Sequence, residues 1–309
     1  MEECNELKLK VYGEWGDSLT DRVKIALKLK RLEFDYVEED PMNKSSSVLL
    51  YNPIDNQVPI LLHHGRSILD SVNIIQYVDE MLPFNHPIMP TEAYERAVVR
   101  YWCHFVDHKL GPAVEVAFRS WGDDLVEAVK KVHGQLNFLE CELREGFFKG
   151  RKFYGGEKIG MLDIVIGSGS HWLSAFDEVA KINLIEPKSF PLFSAWLGDF
   201  TEQDVVKDTI PDRFKLLEFI SGFRSMMLRS AEPLLINDSR DHDTKENEEG
   251  NDGTNHNTNE NDEGNEETDH NTKENEQGND GSDRNNKEND DVVVINVVNP
   301  DAINEQVQF

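Results

Sequence analysis

Apolar positions recur at two different periods along this chain, and the change from one to the other divides it. In "LKLKVYG", Leu7, Leu9 and Val11 alternate with polar neighbours, as a half-buried strand requires. From Thr20 the spacing lengthens, and Val23, Ala26, Leu27 and Lys30 fall on one helical face with Thr20 or Asp21 available as N-cap. "EFDYVEE" predicts a second strand, and "QVPILLHHGRSIL" predicts two more around a turn at His64-Gly65, with a loop between. "DSVNIIQYVDEM" predicts a helix from Asp70 to Met81 with Val72, Ile75 and Val78 inward. Strand, helix, strand, loop, strand, strand, helix is compatible with a thioredoxin-like α/β domain over residues 7–82, although order alone is not unique to that fold.

"LPFNHPIMPT" carries three prolines and cannot continue a helix, so residues 83–91 read as a linker. Residues 92–230 then read as an all-helical bundle. Ala97, Tyr101, Trp102 and Phe105 share one face, and Leu125, Ala128, Val129, Val132, Leu136 and Leu139 share another. Interruptions are expected at "KLGPA", "GRKFYGGEKIG" and "EPKSFP".

Beyond this the apolar content collapses, and His242, His256, His270 and Arg284 mark four units repeating every fourteen residues. Ordering such units costs roughly 1–2 kcal/mol of backbone entropy per residue with almost no apolar burial to offset it. Residues 231–309 therefore read as a disordered acidic tail. Fourteen-residue spacing in a flexible chain brings no histidines together, so no metal site is expected. The terminal "VVVINVV" reads as a short interaction motif or as an aggregation-prone segment guarded by acidic repeats.

Charge sharpens this division. Residues 231–309 hold 23 Asp or Glu against five Lys or Arg, a net −18 of the −27 carried by all 309 residues. The folded part stays mildly acidic, which argues against nucleic acid or anionic lipid as a partner. No apolar run approaches the roughly 20 residues of a membrane span, and "MEECNELKLK" lacks a signal-peptide core, so a cytoplasmic protein is expected. Cys4, Cys103 and Cys141 form neither a disulfide framework nor a zinc pattern.

Three stretches, "DRVKIALKLKRLEFDYVEED", "NKSSSVLLYNPIDNQVPILLHHGRSILDSVNIIQYVDE" and "PDRFKLLEFISGFR", resemble plant tau-class glutathione transferases, and the similarity runs from about Leu7 to Arg229. The resemblance implies a thioredoxin-like glutathione-binding domain, a helical domain holding the second substrate, usually a homodimer, and no cofactor beyond glutathione as co-substrate. By the same resemblance Asp70 would receive the γ-glutamyl ammonium, Ser71 its carboxylate, and Lys44 the glycyl carboxylate. Pro59 stands just before a strand expected to be central. A cis Val58-Pro59 turn accounts for it and frees Val58 to pair with the cysteinyl backbone; an edge-strand proline is the alternative. Trp15, Phe118, Trp172, Phe219 and Phe223 are nominated for the hydrophobic pocket, and each could equally be core.

Two departures stand out. The family's serine, two residues after the first-loop tryptophan, donates to the glutathione sulfur and favours thiolate over thiol. Here that position is Asp17, whose carboxylate accepts rather than donates and repels a thiolate. Ser18, one residue on, is preferred as the activating group. Gln57 stands where a basic pair is usual, so glutathione is expected to bind more loosely. The reading is a transferase conjugating glutathione to hydrophobic electrophiles. The alternative is a ligandin-like binding protein with little turnover. A cysteine-type redox enzyme is set aside, because no residue from Trp15 to Arg22 is cysteine.

Overall fold

The computed structural model describes residues 8–238, with side chains through residue 227. The predicted acidic repeats, the "VVVINVV" segment, Cys4 and Leu7 lie outside the described residues. Strand β1 (Leu9–Gly13) is flanked by β2 (Asp35–Glu38) in parallel and by β3 (Ile60–His63) antiparallel, with β4 (Arg66–Leu69) antiparallel beyond, in the order β2-β1-β3-β4. Alternation along the strands decides what each face packs against. Leu9, Val11 and Leu61 meet Val23 and Leu27 of α1 (Ser18–Leu29) and Ile74 and Val78 of α3 (Ser71–Met81). Tyr12, Ile60 and Leu62 meet Val58 and also Val48 of α2 (Ser46–Tyr51). This is the thioredoxin-like arrangement the strand and helix signals predict.

Two predictions in this half are corrected. The segment read as a loop contains α2, which buries only Val48 and is too short to display a period. Helix α1 begins at Ser18 rather than Thr20, because the cap is Asp17 and not Thr20 or Asp21.

The second half is helical: α4 (Ala93–Phe105), a π turn (Val106–Leu110), α5 (Gly111–Arg119), α6 (Gly122–Arg144), α7 (Met161–Gly167), α8 (Ser170–Ala180), α9 (Pro191–Thr201), α10 (Asp204–Lys207) and α11 (Arg213–Asp238). The α6 stripe is as predicted, with Ala128, Val132, Leu136 and Leu139 buried. On α4 the predicted face is rotated: Ala97 and Tyr101 are exposed, and Val99, Trp102 and Cys103 are inward. Tyr101, amphipathic, leans its edge on Trp102 from outside. "KLGPA" does not break the chain direction, since the π turn absorbs it and α5 starts at Gly111. Helix α11 continues through Asp238, past the predicted start of the tail at Ala231.

The linker is fastened rather than loose. The Asp79 carboxylate on α3 accepts from the amides of Ile88 (2.8 Å) and Met89 (3.0 Å) and pairs with Lys30 Nζ at 2.6 Å. Lys30 is wholly buried and also donates to the carbonyl of Leu82. Further on, buried Asp163 accepts from the amides of Tyr154, Gly155 and Gly160 and from Trp196 Nε1, closing the loop between α6 and α7. Cys103 is buried, which pushes its thiol up to about 12 and leaves it unreactive. No helix among the described residues is long and apolar enough to cross a membrane.

Candidate functional site

How α1 begins decides the chemistry around Ser18. Asp17 is extended (φ −70°, ψ 118°), and its carboxylate accepts from Leu19 N at 3.1 Å, Thr20 N at 2.8 Å and Thr20 Oγ1 at 2.6 Å. Three donors therefore hold Asp17 to the helix end. Ser18 becomes the first helical residue, and its hydroxyl makes no hydrogen bond to another described residue. Asp17 and Ser18 both line a cavity of about 390 Å³ walled by Val106, Leu110, Val114, Leu136 and Phe176.

Of the nominated aromatics, Phe118 and Trp172 line this cavity. Trp15, Phe219 and Phe223 stand beside it: Phe219 contacts both Trp15 and Trp172, and Phe223 stacks on Phe118. Trp172 Nε1 donates to the carbonyl of Gly16, so α8 holds the loop that carries Asp17 and Ser18.

Arg22, to which the sequence pattern assigned no role, is the hub between the two halves. Its guanidinium donates to Asp107 Oδ1 at 2.6 Å, to Val165 O at 3.1 Å, to Ser71 Oγ at 3.3 Å and to Ser168 Oγ at 3.4 Å. It is buried and its five donors are nearly all used. The available signal was an arginine directly before Val23, within the stretch of α1 that turns inward.

Asp70 caps α3 from a positive φ of 69°, accepting from Asn73 N at 2.8 Å. Its carboxylate is otherwise open to solvent, and Ser71 behind it is buried. The Val58-Pro59 peptide is cis. Ile60 pairs with both Tyr12 and Leu69, so Val58 and Pro59 lie between the end of β1 and Asp70, ahead of the first rung of the ladder. Gln57 is exposed, with its carbonyl held by Asn52 Nδ2. Lys44 forms an ion pair with Glu14.

One turn behind Asp17, Asp21 Oδ2 lies 3.7 Å from His171 Nε2 on α8, and both side chains are buried. Burial pushes Asp21 up to about 7 and His171 down to about 4, so near neutrality His171 is uncharged and Asp21 is about half protonated. Among the described residues no group of three or more His, Cys, Asp or Glu side chains is placed to hold a metal ion.

A four-stranded sheet with a cis-proline just before its third strand, joined to a helical bundle that walls an apolar cavity at the start of α1, defines a two-part architecture of a thioredoxin-like half and an all-helical half. Residues 7–80 match the family described as Glutathione S-transferase, N-terminal domain. The chain is 39% identical over 223 residues to "Glutathione transferase GST 23" of Zea mays, covering 72% of this chain and 98% of that protein. It is 36% identical over 220 residues to "Glutathione S-transferase U8" of Arabidopsis thaliana, covering 70% and 95%. Among solved structures, the tau class glutathione S-transferase MiGSTU from mango, Mangifera indica, superposes with a TM-score of 0.65 at 30% identity, covering 69% and 96%. Rice GST1, solved in complex with glutathione, superposes with a TM-score of 0.66 at 28% identity, covering 72% and 99%. The chain belongs to the glutathione S-transferase family, in its tau class.

Proposed function

We propose that the protein conjugates reduced glutathione to hydrophobic electrophiles, and that Ser18 is the group that activates the sulfur. The observation that carries this reading is the place of Ser18, on the wall of the apolar cavity and beside the strand ends from which the glutathione groove is proposed to run. Ser18 lines the cavity, while Val58 and Asp70 lie next to the close of β1. A tripeptide with its amino end at Asp70 and Ser71 and its middle against Val58 brings its sulfur toward the start of α1. There the Ser18 hydroxyl is free to donate, and it stands in the first turn of α1, at the positive end of the helix dipole, although the Asp17 carboxylate caps two of the amides there. Both favour thiolate over a thiol of pKa about 8.5. Lys44 and Gln57 would face the remaining carboxylate. The apolar walls then hold the electrophile beside the sulfur, so the protein supplies proximity and a lowered thiol pKa.

The binding-protein reading is favoured by one observation, the Asp17 carboxylate on the same cavity wall. Initial rates with glutathione and an activated aryl halide separate the two. Turnover above the uncatalysed rate is expected, and glutathione uptake without turnover would replace the transferase by the binding protein. The same reading has the protein working in the cytosol as a homodimer. The exposed apolar side chains of Met42, Leu50 and Ile54 support a covered face, and sedimentation at micromolar concentration tests it.

A further inference from the structure

The end of the groove that would meet the peptide's C-terminal carboxylate already holds an internal carboxylate. Glu14 follows directly on β1, and its backbone is fixed by a bond from its amide to Thr20 Oγ1. Its side chain meets Lys44, and the two are only 18% and 16% exposed. This differs in kind from a surface pair such as Lys130 with Glu127, where both partners are about two-thirds exposed. The neighbouring acid cannot relieve it, because Glu39 is buried and committed to the amide and hydroxyl of Ser45. Gln57, which the resemblance also sets at this end, is neutral. Among the described residues, the cation nominated for this corner is already balanced by one anion.

We infer that Glu14 is a specificity-determining residue: by holding Lys44 it makes the carboxylate end of the groove indifferent to ligand charge. The site then accepts γ-glutamyl-cysteinyl thiols whose C-terminal carboxylate is masked, as an ester or amide, about as well as glutathione itself. This rests on the glutathione reading. A free carboxylate that reaches Lys44 must displace Glu14, exchanging one ion pair for another and leaving Glu14 half-buried without a partner. A masked end leaves the internal pair intact. The preference that a charge-assisted bond normally confers is lost.

Titration calorimetry on the full chain, with glutathione and its glycine ethyl ester as probes, tests this. Wild-type protein is expected to bind the two within about threefold. Glu14→Gln, which frees Lys44, is expected to tighten glutathione about tenfold and leave the ester unchanged. The double variant Glu14→Gln with Lys44→Met removes the pair altogether and is expected to keep the two probes within threefold. A tenfold or greater preference of wild type for glutathione over the ester, undisturbed by Glu14→Gln, overturns the inference and leaves the glutathione reading standing. Uptake of neither probe overturns both.

Discussion

Two helices in this protein begin with an aspartate cap, and the two carboxylates are placed for different work. Asp17 at α1 is saturated by two amides and the Thr20 hydroxyl. Asp70 at α3 accepts from one amide and keeps the rest of its carboxylate in solvent. The same residue at the same helical position is thus a structural fastening in one place and an available charge in the other. Counting donors around each oxygen, rather than naming the residue type, tells them apart. On the proposed placement of the sulfur, it also accounts for a carboxylate nearby that does not end the chemistry, since Asp17 is turned into the helix end and its neighbour is left free.

The comparison is broken most directly through Asp21, the buried acid one turn behind Asp17, which has no equivalent behind Asp70. Its folded pKa of about 7 lies above the ordinary 3.8, so its contribution is fully present below about pH 4 and lost as pH rises to 7. His171, lowered from 6.5 to about 4, acts oppositely, and its contribution is lost as pH falls from 6.5 to 4. Asp21→Asn is expected to melt higher than wild type at pH 8, by an amount on the order of a few kcal/mol. The variant should keep only the loss below pH 6.5. Melting curves across pH 4–8 with equal slopes for variant and wild type would contradict this.

Ser18→Ala removes the one hydroxyl left free by the capping of Asp17. A hydrogen bond to a charged sulfur is worth about 1.5–3 kcal/mol, so kcat/KM should drop roughly 10- to 150-fold with glutathione binding largely kept. An unaffected enzyme would remove Ser18 from the mechanism. Asp70→Ala and Asp17→Ala sharpen the contrast as a pair. The first should raise the glutathione Kd roughly tenfold, by loss of a charge-assisted contact. The second should chiefly lower stability, by about 0.5–2 kcal/mol, measured by urea titration. Reversed assignments would show that the two caps are not distinguished by their donors. The smallest effect is expected for Asp17→Ser, which keeps a capping oxygen and removes the charge. Turnover should rise a few-fold, and a fall would mean that the carboxylate itself assists.

The sheet was legible because Leu9 and Val11 alternate with polar neighbours and the His64-Gly65 turn separates two short strand runs, and Pro59 before β3 drew attention to the peptide that proves to be cis. Helix α2 was illegible, because six residues with one buried side chain show no period. The face of α4 was misread because Tyr101 is apolar by composition yet amphipathic in use. What sequence could not supply was partnership. Nothing in the spacing of Arg22, Ser71 and Asp107, or of Glu14 and Lys44, announces that they meet, since each contact joins segments far apart in the chain. The resemblance nominated Lys44 for the glycyl carboxylate, but it could not reveal that Lys44 has a counter-ion of its own.

The Asp79 clasp has a mechanical consequence. Because one carboxylate grips the connecting segment at two amides while neutralising a buried ammonium, the sheet half and the bundle half have little freedom to swing apart. An electrophile too large for the apolar chamber must then be accommodated by rotamer changes in Phe219, Trp15 and their neighbours. Variation in those rings, rather than hinge opening, would set the range of molecules admitted.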